Sequence, residues 1–204
     1  MMNLFYISCV LLSSGTYGFC PEGCGCDDEM FSAICFNTDL EVKIFQDCTL
    51  TYSHFSLYLQ VMPITLNPNI ISLILKHNQF KTVDASISFY PALKDLDISS
   101  NNIELLSDSI LSNQKELEEL NLSDNIISDI SGRAFIGLKQ LKSINLRQNS
   151  INHLVAKGFS DLQSLEFWDC SDNIISNIDT AAFMKIKKLK VLHLNDNMLE
   201  TVPT

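Results

Sequence analysis

Apolar and polar residues follow one pattern six times between Ile70 and Val202. In each copy two apolar residues flank a single residue, an asparagine comes three positions later, and another apolar residue follows two positions after it. The copies carry the triplets Leu73, Leu75, Asn78; Leu96, Ile98, Asn101; Leu120, Leu122, Asn125; Ile144, Leu146, Asn149; Trp168, Cys170, Asn173; and Leu192, Leu194, Asn197. Successive asparagines are 23 residues apart once and 24 apart four times, which predicts a repeat protein.

The physical chemistry of this pattern predicts a stack of short strands. Alternate residues of a strand point to one side, so the two flanking apolar residues face a core. Identical units stack, and their strands then form one parallel sheet. The turn after each strand buries backbone polar groups, which an asparagine amide can satisfy with two donors and one acceptor. A leucine there would cost about 1–3 kcal/mol for each unpaired group. A second apolar column, of Ile87, Leu111, Phe135, Phe159 and Phe183, predicts the opposite wall of the core.

The repeats resemble the leucine-rich-repeat family, LxxLxLxxNxL, in its 24-residue extracellular form. Cys20, Cys24, Cys26 and Cys35 look like that family's N-terminal cap, and the whole is similar to ectodomains of Toll-like receptors, small proteoglycans and neuronal repeat receptors. The resemblance implies an α/β repeat fold: a curved solenoid with a parallel β-sheet on its concave face and an irregular or short helical convex side. It also implies the disulfides Cys20–Cys26 and Cys24–Cys35, although spacing alone allows three pairings.

The first 18 residues predict a secretory signal peptide. Leu4 to Leu12 is an apolar run of suitable length, and Thr16 and Gly18 are small residues near the cleavage point. No lysine or arginine precedes the run, which departs from the usual pattern. The alternative, a membrane anchor, needs about 20 apolar residues. We therefore expect a secreted, extracellular protein without a membrane span.

Residues 19–69 are expected to form a cysteine-rich cap and an irregular lead-in. The segment 36–69 fits the repeat poorly, although Phe55 to Val61 alternates like a strand, so it is either an enlarged cap or a degenerate repeat. Four clustered cysteines would also suit zinc, but the oxidising compartment that a signal peptide implies favours disulfides. Cys48 has no assigned partner.

Residues 70–204 contain the six repeats and no C-terminal cap. The apolar residues of the last repeat, and the unpaired backbone groups of its strand, would then be uncovered. We expect a homodimer through this end, unless the natural product continues beyond Thr204.

Composition and charge narrow the range of partners. Apolar residues make up 46% of the chain, and 24 acidic against 14 basic side chains give a formal net charge of −10. This balance argues against nucleic acid and anionic membrane surfaces and permits a basic protein partner.

Outward-facing strand residues predict a concave binding surface, about 25 Å long for six strands. The candidate binding residues are Asp95, Asp97, Glu119, Asn145, Phe167, Asp169, Val191 and His193. The middle of this surface is acidic, and an outward aromatic such as Phe167 is often an interface anchor, although a single exposed phenylalanine is also normal. Asn121 begins the only N-glycosylation sequon; the repeat pattern itself generates such a sequence, and a glycan there would obstruct the surface.

Catalytic and metal chemistry find little support in the sequence. Paired carboxylates would suit glycoside hydrolysis or calcium, but an open face lacks the pocket that shifts a carboxyl pKa. The four histidines show no metal-ligand spacing, and no nucleophile–base grouping stands out. Trp168 and Cys170 replace inward leucines and should be buried, Cys170 as a reduced thiol. We expect neither an enzyme nor a bound cofactor.

Two functional hypotheses follow from these features. The first is a secreted protein-binding module; the resemblance to Toll-like ectodomains implies innate-immune recognition by a soluble receptor or decoy. The second is an extracellular matrix or adhesion component, or a fragment of a membrane receptor ectodomain.

Overall fold

The structure, a computed structural model, describes residues 71–200 in full and three earlier strands by their backbone. These strands are β1 (Cys24–Asp27), β2 (Ser32–Cys35) and β3 (Thr49–Thr51). The predicted signal peptide, Cys20, Cys48 and the predicted strand from Phe55 to Val61 lie outside the described residues.

The six repeats supply six strands of one parallel sheet. They are β4 (Ser72–Ile74), β5 (Asp95–Asp97), β7 (Glu119–Asn121), β9 (Ser143–Asn145), β11 (Phe167–Asp169) and β13 (Val191–His193). Each strand pairs with the next repeat at the same frame position, as Leu96 with Leu120 and Trp168 with Leu192. This register follows from the constant repeat length, because each repeat is one turn of the solenoid. The predicted fold class is confirmed.

The sheet extends further toward the N-terminus than the six repeats. Its nine strands lie in the order β1-β2-β3-β4-β5-β7-β9-β11-β13, with only β1 and β2 antiparallel. Nine strands span about 38 Å at the usual strand spacing, so the expected length of about 25 Å was too short. The missed strand is β3, in which Leu50 pairs with Leu73, one 23-residue period later.

The N-terminal hairpin bears on the predicted disulfides. Cys24 and Cys35 are directly opposite each other in the antiparallel pair of β1 and β2. Opposite residues of such a pair have Cα atoms about 4.5–5.5 Å apart, within the range that a disulfide requires. The register therefore supports the Cys24–Cys35 pairing, which remains a prediction together with Cys20–Cys26.

Short elements form the side of the solenoid away from the sheet. Two small parallel pairs lie there, β6 (Leu105–Leu106) with β8 (Asp129–Ile130) and β10 (His153–Leu154) with β12 (Asn177–Ile178). Two 3₁₀ helices, Ala85–Phe89 and Ala156–Phe159, alternate with turns. The carboxylate of Asp84 accepts the Ser86 N–H at 2.7 Å and caps the first of them. The predicted irregular convex side is confirmed.

Apolar columns from the sheet and from this opposite side meet in one core. Aromatic rings join its second half: Phe159 lies 4.5 Å from Trp168 and 5.9 Å from Phe135, between ring centroids. Trp168 and Cys170 are completely buried, as predicted, and Cys170 is a free thiol. Burial raises the pKa of the Cys170 thiol far above its ordinary value.

The asparagine column joins each repeat to the one before it. Asn125 donates its amide N–H groups to the carbonyls of Leu122 and Ser123 and to that of Ile98 in the preceding repeat, each at 3.1 Å. Its Oδ1 accepts the N–H of Ile103, also in the preceding repeat, at 3.0 Å. The same contacts recur at the other four asparagines from Asn101 to Asn197. The predicted role of these amides is confirmed.

The residue before each asparagine has a left-handed backbone conformation. The six residues are His77, Ser100, Asp124, Gln148, Asp172 and Asp196, with φ between 53° and 58°. Such φ values are uncommon for residues other than glycine, and aspartate tolerates them better than most. The sharp turn after each strand requires this conformation, which brings the asparagine amide back toward the backbone.

Candidate functional site

The outer residues of the six repeat strands form a continuous surface, here called the sheet face. In each three-residue strand the middle residue points into the core, so the first and third point outward. The first residues are Ser72, Asp95, Glu119, Ser143, Phe167 and Val191, and the third residues are Ile74, Asp97, Asn121, Asn145, Asp169 and His193. All eight predicted binding residues lie in these two columns.

Strands β5 and β7 carry the acidic part of the sheet face. Asp95 and Glu119 are directly opposite each other across the two strands, and Asp97 is opposite Asn121. The carboxylate of Asp95 accepts the Ser72 hydroxyl at 2.7 Å, and that of Asp97 accepts the Ser99 hydroxyl at 2.6 Å. Within the described part of the chain none of the three carboxylates has a cation within 4.0 Å. Like charges on facing strand positions repel, so a cationic group placed there would be stabilised.

Strands β11 and β13 carry an apolar and aromatic part. Phe167 lies opposite Val191, and its ring meets the His193 ring edge to face, with centroids 5.5 Å apart. His193 Nδ1 is 3.5 Å from Asp169 Oδ2, while Asp169 Oδ1 accepts the Ser171 hydroxyl at 2.5 Å. These contacts hold the half-buried Phe167 ring in a defined position, as an interface anchor requires.

The environment of Asp169 keeps this carboxyl ionised. Burial alone would raise its pKa, but hydrogen bonds from the Ser171 hydroxyl and backbone N–H, together with His193, bring the pKa of Asp169 below its usual value. Asp169 therefore remains a fixed acceptor for His193 across the neutral pH range.

Asn121 and Asn145 lie between the acidic and aromatic parts. The side-chain oxygen of Asn121 accepts the Ser123 N–H at 3.1 Å, and that of Asn145 accepts the Arg147 N–H at 3.0 Å. Each amide is thereby oriented by its own strand end. Asn121 is half-buried near the middle of the sheet face, where the predicted glycan would stand; its occupancy stays a prediction.

A column of alternating charges along one edge of the sheet face was missed in the sequence. It is called the Lys–Glu ladder and consists of Lys94, Glu118, Lys142, Glu166 and Lys190. Glu118 contacts Lys142 and lies 3.9 Å from Lys94, and Glu166 lies 2.7 Å from Lys190. The hydrogen bond from Lys142 lowers the pKa of Glu118. The recognisable signal is the change of charge sign at each period of 24 residues.

Arg147 is neutralised in the same manner. Its Nε donates to Asp172 Oδ2 at 2.7 Å, one repeat further along. Of the basic residues on or beside the sheet face within residues 71–200, only Lys76 therefore lacks a carboxylate within 4.0 Å. The positive charges of this region are already paired inside the protein, whereas several negative charges are not.

Neither a metal cluster nor a membrane-spanning helix is found where the structure can be described. No group of three or more histidine, cysteine, aspartate or glutamate side chains is placed to hold a metal ion among these residues. Over the same residues, no helix has the length and apolarity that crossing a bilayer requires.

The repeated strand, the asparagine column and the open sheet face define a solenoid of the kind that binds ligands on its surface. The family model of the leucine rich repeat matches residues 68–125 and 115–169, which together span half of the chain. The chain belongs to the leucine-rich-repeat family.

Solved structures include a similar receptor. The crystal structure of a TLR13–ssRNA13 complex matches with a TM-score of 0.56 and 25% sequence identity, over 77% of this chain and 26% of that chain. This chain therefore spans about a quarter of the length of its TLR13 neighbour. No curated protein matches the chain. Family and neighbour together support a protein-binding leucine-rich-repeat module that resembles Toll-like receptor ectodomains.

Proposed function

We propose that this chain is a non-catalytic recognition module that binds a protein ligand on its sheet face. The observation that carries the proposal is the contrast within that face. The Lys–Glu ladder is paired internally, whereas Asp95, Asp97 and Glu119 have no cationic partner among the described residues and Phe167 is held beside Val191. Unpaired charge next to a positioned aromatic is the composition of an interface rather than of an inert surface.

The arrangement specifies the chemistry of the ligand. The acidic part lies on β5 and β7, and Phe167 lies on β11, three strands from β5. At the usual strand spacing this separation is about 14 Å. The ligand should present a basic group to the acidic part and an apolar group to Phe167 and Val191. Such a contact suits a modest interface of about 800 Å² on each partner.

A nucleic-acid ligand is the second candidate, because the TLR13 neighbour is in complex with single-stranded RNA. The sheet face of this chain argues against it. Nucleic-acid affinity depends on lysine and arginine contacts to phosphates. Here Lys94, Lys142 and Lys190 are next to glutamates, and the unpaired groups are mostly carboxylates that would repel phosphate.

The test compares variants of the sheet face with matched variants elsewhere. Partners are captured from a pool of secreted proteins with the full chain, and their affinities are then measured for Phe167→Ala and Asp97→Lys. We expect each change to weaken binding at least about tenfold. The controls are Phe89→Ala, an aromatic that is 57% exposed on the convex side, and Asp129→Lys on β8; both should leave affinity unchanged.

Two results would contradict this surface assignment. One is loss of binding in the convex variants with retention in the sheet-face variants. The other is full occupancy of Asn121 by a glycan in the active protein, because the glycan would cover the middle of the sheet face. Preferential binding of single-stranded RNA would replace the protein-ligand proposal with the nucleic-acid one.

We further propose that the protein is secreted, with Phe19 as its first mature residue, and serves as a soluble innate-immune receptor or decoy. The resemblance to Toll-like ectodomains and the apolar N-terminal run support this role. The alternatives are a matrix or adhesion component and a part of a receptor ectodomain. Expression in secretory cells separates them: protein in the medium that starts at Phe19 supports the soluble role, and retention on matrix or cell surface supports the alternatives.

A further inference from the structure

A second charged surface, of opposite sign, lies outside the sheet face. The segment from Met184 to Lys190, which leads into β13, contains four lysines in seven residues of a chain whose net charge is −10. Lys185, Lys187 and Lys188 are exposed, and none of them has a carboxylate within 4.0 Å among the residues that the structure describes. These three residues are here called the lysine cluster.

The packing of the segment explains why the cluster points outward. Phe183, Ile186 and Leu189 are three residues apart and pack against the core. Turn hydrogen bonds, such as Ile186 N–H to the Phe183 carbonyl at 3.0 Å, fix this spacing. The lysines between these apolar residues are consequently held on the surface, and Met184 beside them is 72% exposed.

Few negative charges oppose the lysine cluster. In the repeat frame Lys185, Lys187 and Lys188 are adjacent to Asp161, Gln163 and Ser164 of the preceding repeat. Asp161 already accepts the Gly137 N–H at 2.9 Å, and Glu166, which senses Lys188, is 2.7 Å from Lys190. Lys139 is exposed in the same column as Lys187, two repeats earlier. The surface thus keeps an excess of positive charge.

The chemistry of the cluster selects among anionic ligands. Lysine ammonium groups bind sulfate and phosphate as point charges. Single-stranded nucleic acid also needs aromatic platforms for its bases, but Phe183 is partly buried with its ring 5.7 Å from Trp168. Insertion into a lipid surface needs an apolar face, and Met184 alone does not supply one. A linear sulfated polysaccharide requires only the charges.

We propose that the lysine cluster binds a linear sulfated polysaccharide, at a site separate from the sheet face. The two surfaces have opposite charge and belong to different positions of the repeat, so the proposal does not depend on the protein ligand. Binding at this site would hold the recognition module near sulfated surfaces and leave its sheet face available.

The test uses the full purified chain and heparin oligosaccharides as the probe. The variant Lys185→Glu, Lys187→Glu, Lys188→Glu should lose at least about tenfold in affinity, and the affinity of the unmodified chain should fall with added salt. The matched control Lys76→Glu, Lys81→Glu, Lys157→Glu makes the same charge change elsewhere and should lose less than threefold. Equal losses in the two variants, or no loss in the first, would overturn the proposal.

Two further measurements keep the result specific. Desulfated heparin should not compete, and single-stranded RNA of equal charge should compete less well than heparin; RNA that binds more tightly at the cluster would refute the assignment to a polysaccharide. Thermal unfolding checks that the charge-reversed chain is folded. If it is not, the single variant Lys188→Gln takes its place, with Lys81→Gln as control. Phe167→Ala should leave heparin affinity unchanged.

Discussion

The asparagine column and the Lys–Glu ladder are both side-chain columns that recur once per turn and connect neighbouring repeats. The asparagine amides are buried or half-buried and bond to backbone groups, as Asn125 does in four hydrogen bonds. The ladder side chains are exposed to a third or more and bond to one another. The two columns are equally regular along the chain, but their surroundings differ.

This difference separates what builds the solenoid from what shapes its surface. A buried backbone carbonyl or N–H without a partner costs far more than a lost exposed ion pair, since water solvates the exposed charges. The asparagines should therefore determine stability. The ladder should contribute little to stability and instead neutralise lysines that would otherwise be available to anionic ligands.

The largest expected effect is that of Asn125→Ala. The substitution leaves the Ile103 N–H and up to three carbonyls without partners inside the solenoid. At about 1 kcal/mol or more for each group, the free energy of unfolding should fall by about 4 kcal/mol. Urea unfolding measures the change. The exposed neighbour Asn102→Ala serves as control and should change stability by no more than about 0.5 kcal/mol; similar losses in both variants would contradict the role of the column.

A second prediction concerns Cys170, which takes a core-facing strand position next to the asparagine column. Because burial raises the pKa of this thiol, it stays neutral in the folded chain while the unfolded chain ionises above about pH 8.5. Its contribution to stability is complete below that pH and is lost as pH rises toward the folded pKa, at about 1.4 kcal/mol per pH unit. Urea unfolding from pH 8 to pH 10 should show a steeper decline for the unmodified chain than for Cys170→Ala. Parallel declines would indicate a solvated thiol.

The smallest expected effect is that of Glu118→Gln, which removes the central charge of the ladder. Glu118 is exposed, so the urea midpoint should shift far less than in Asn125→Ala, and the shift should shrink with added salt. Removing the charge should also free Lys94 and Lys142 and raise the affinity of the sheet face for anions. A midpoint shift as large as that of Asn125→Ala would show that the two columns are equivalent after all.

The sequence predicted those features that depend on the repeat frame alone. The strands, the bonds of Asn125 and the burial of Trp168 and Cys170 all follow from position within a period. The strand β3 was missed because Phe55 stands at the frame position of the asparagine, 23 residues before Asn78, although Leu50 keeps its register with Leu73.

The contacts of the sheet face could be predicted only in part. The repeat frame predicts that Phe167, Asp169 and His193 point outward together, but not how they orient. The edge-to-face contact of Phe167 with His193 depends on rotamers, which periodicity does not specify. The Lys–Glu ladder was within reach of the sequence, because its alternation of sign at each period needs no rotamer.

The hydrogen bonds of the asparagine column also bear on how such a chain changes in evolution. Each amide refers only to its own repeat and to the one before it, so every internal junction is chemically the same. Excision of the 24 residues from 117 to 140 would join residue 116 to 141 and give Asn149 the partners that Asn125 now has. Unequal recombination can therefore lengthen or shorten the sheet by one strand, about 4.8 Å, without creating a new kind of contact. Ligand reach could then drift in steps of one strand while the fold stays the same.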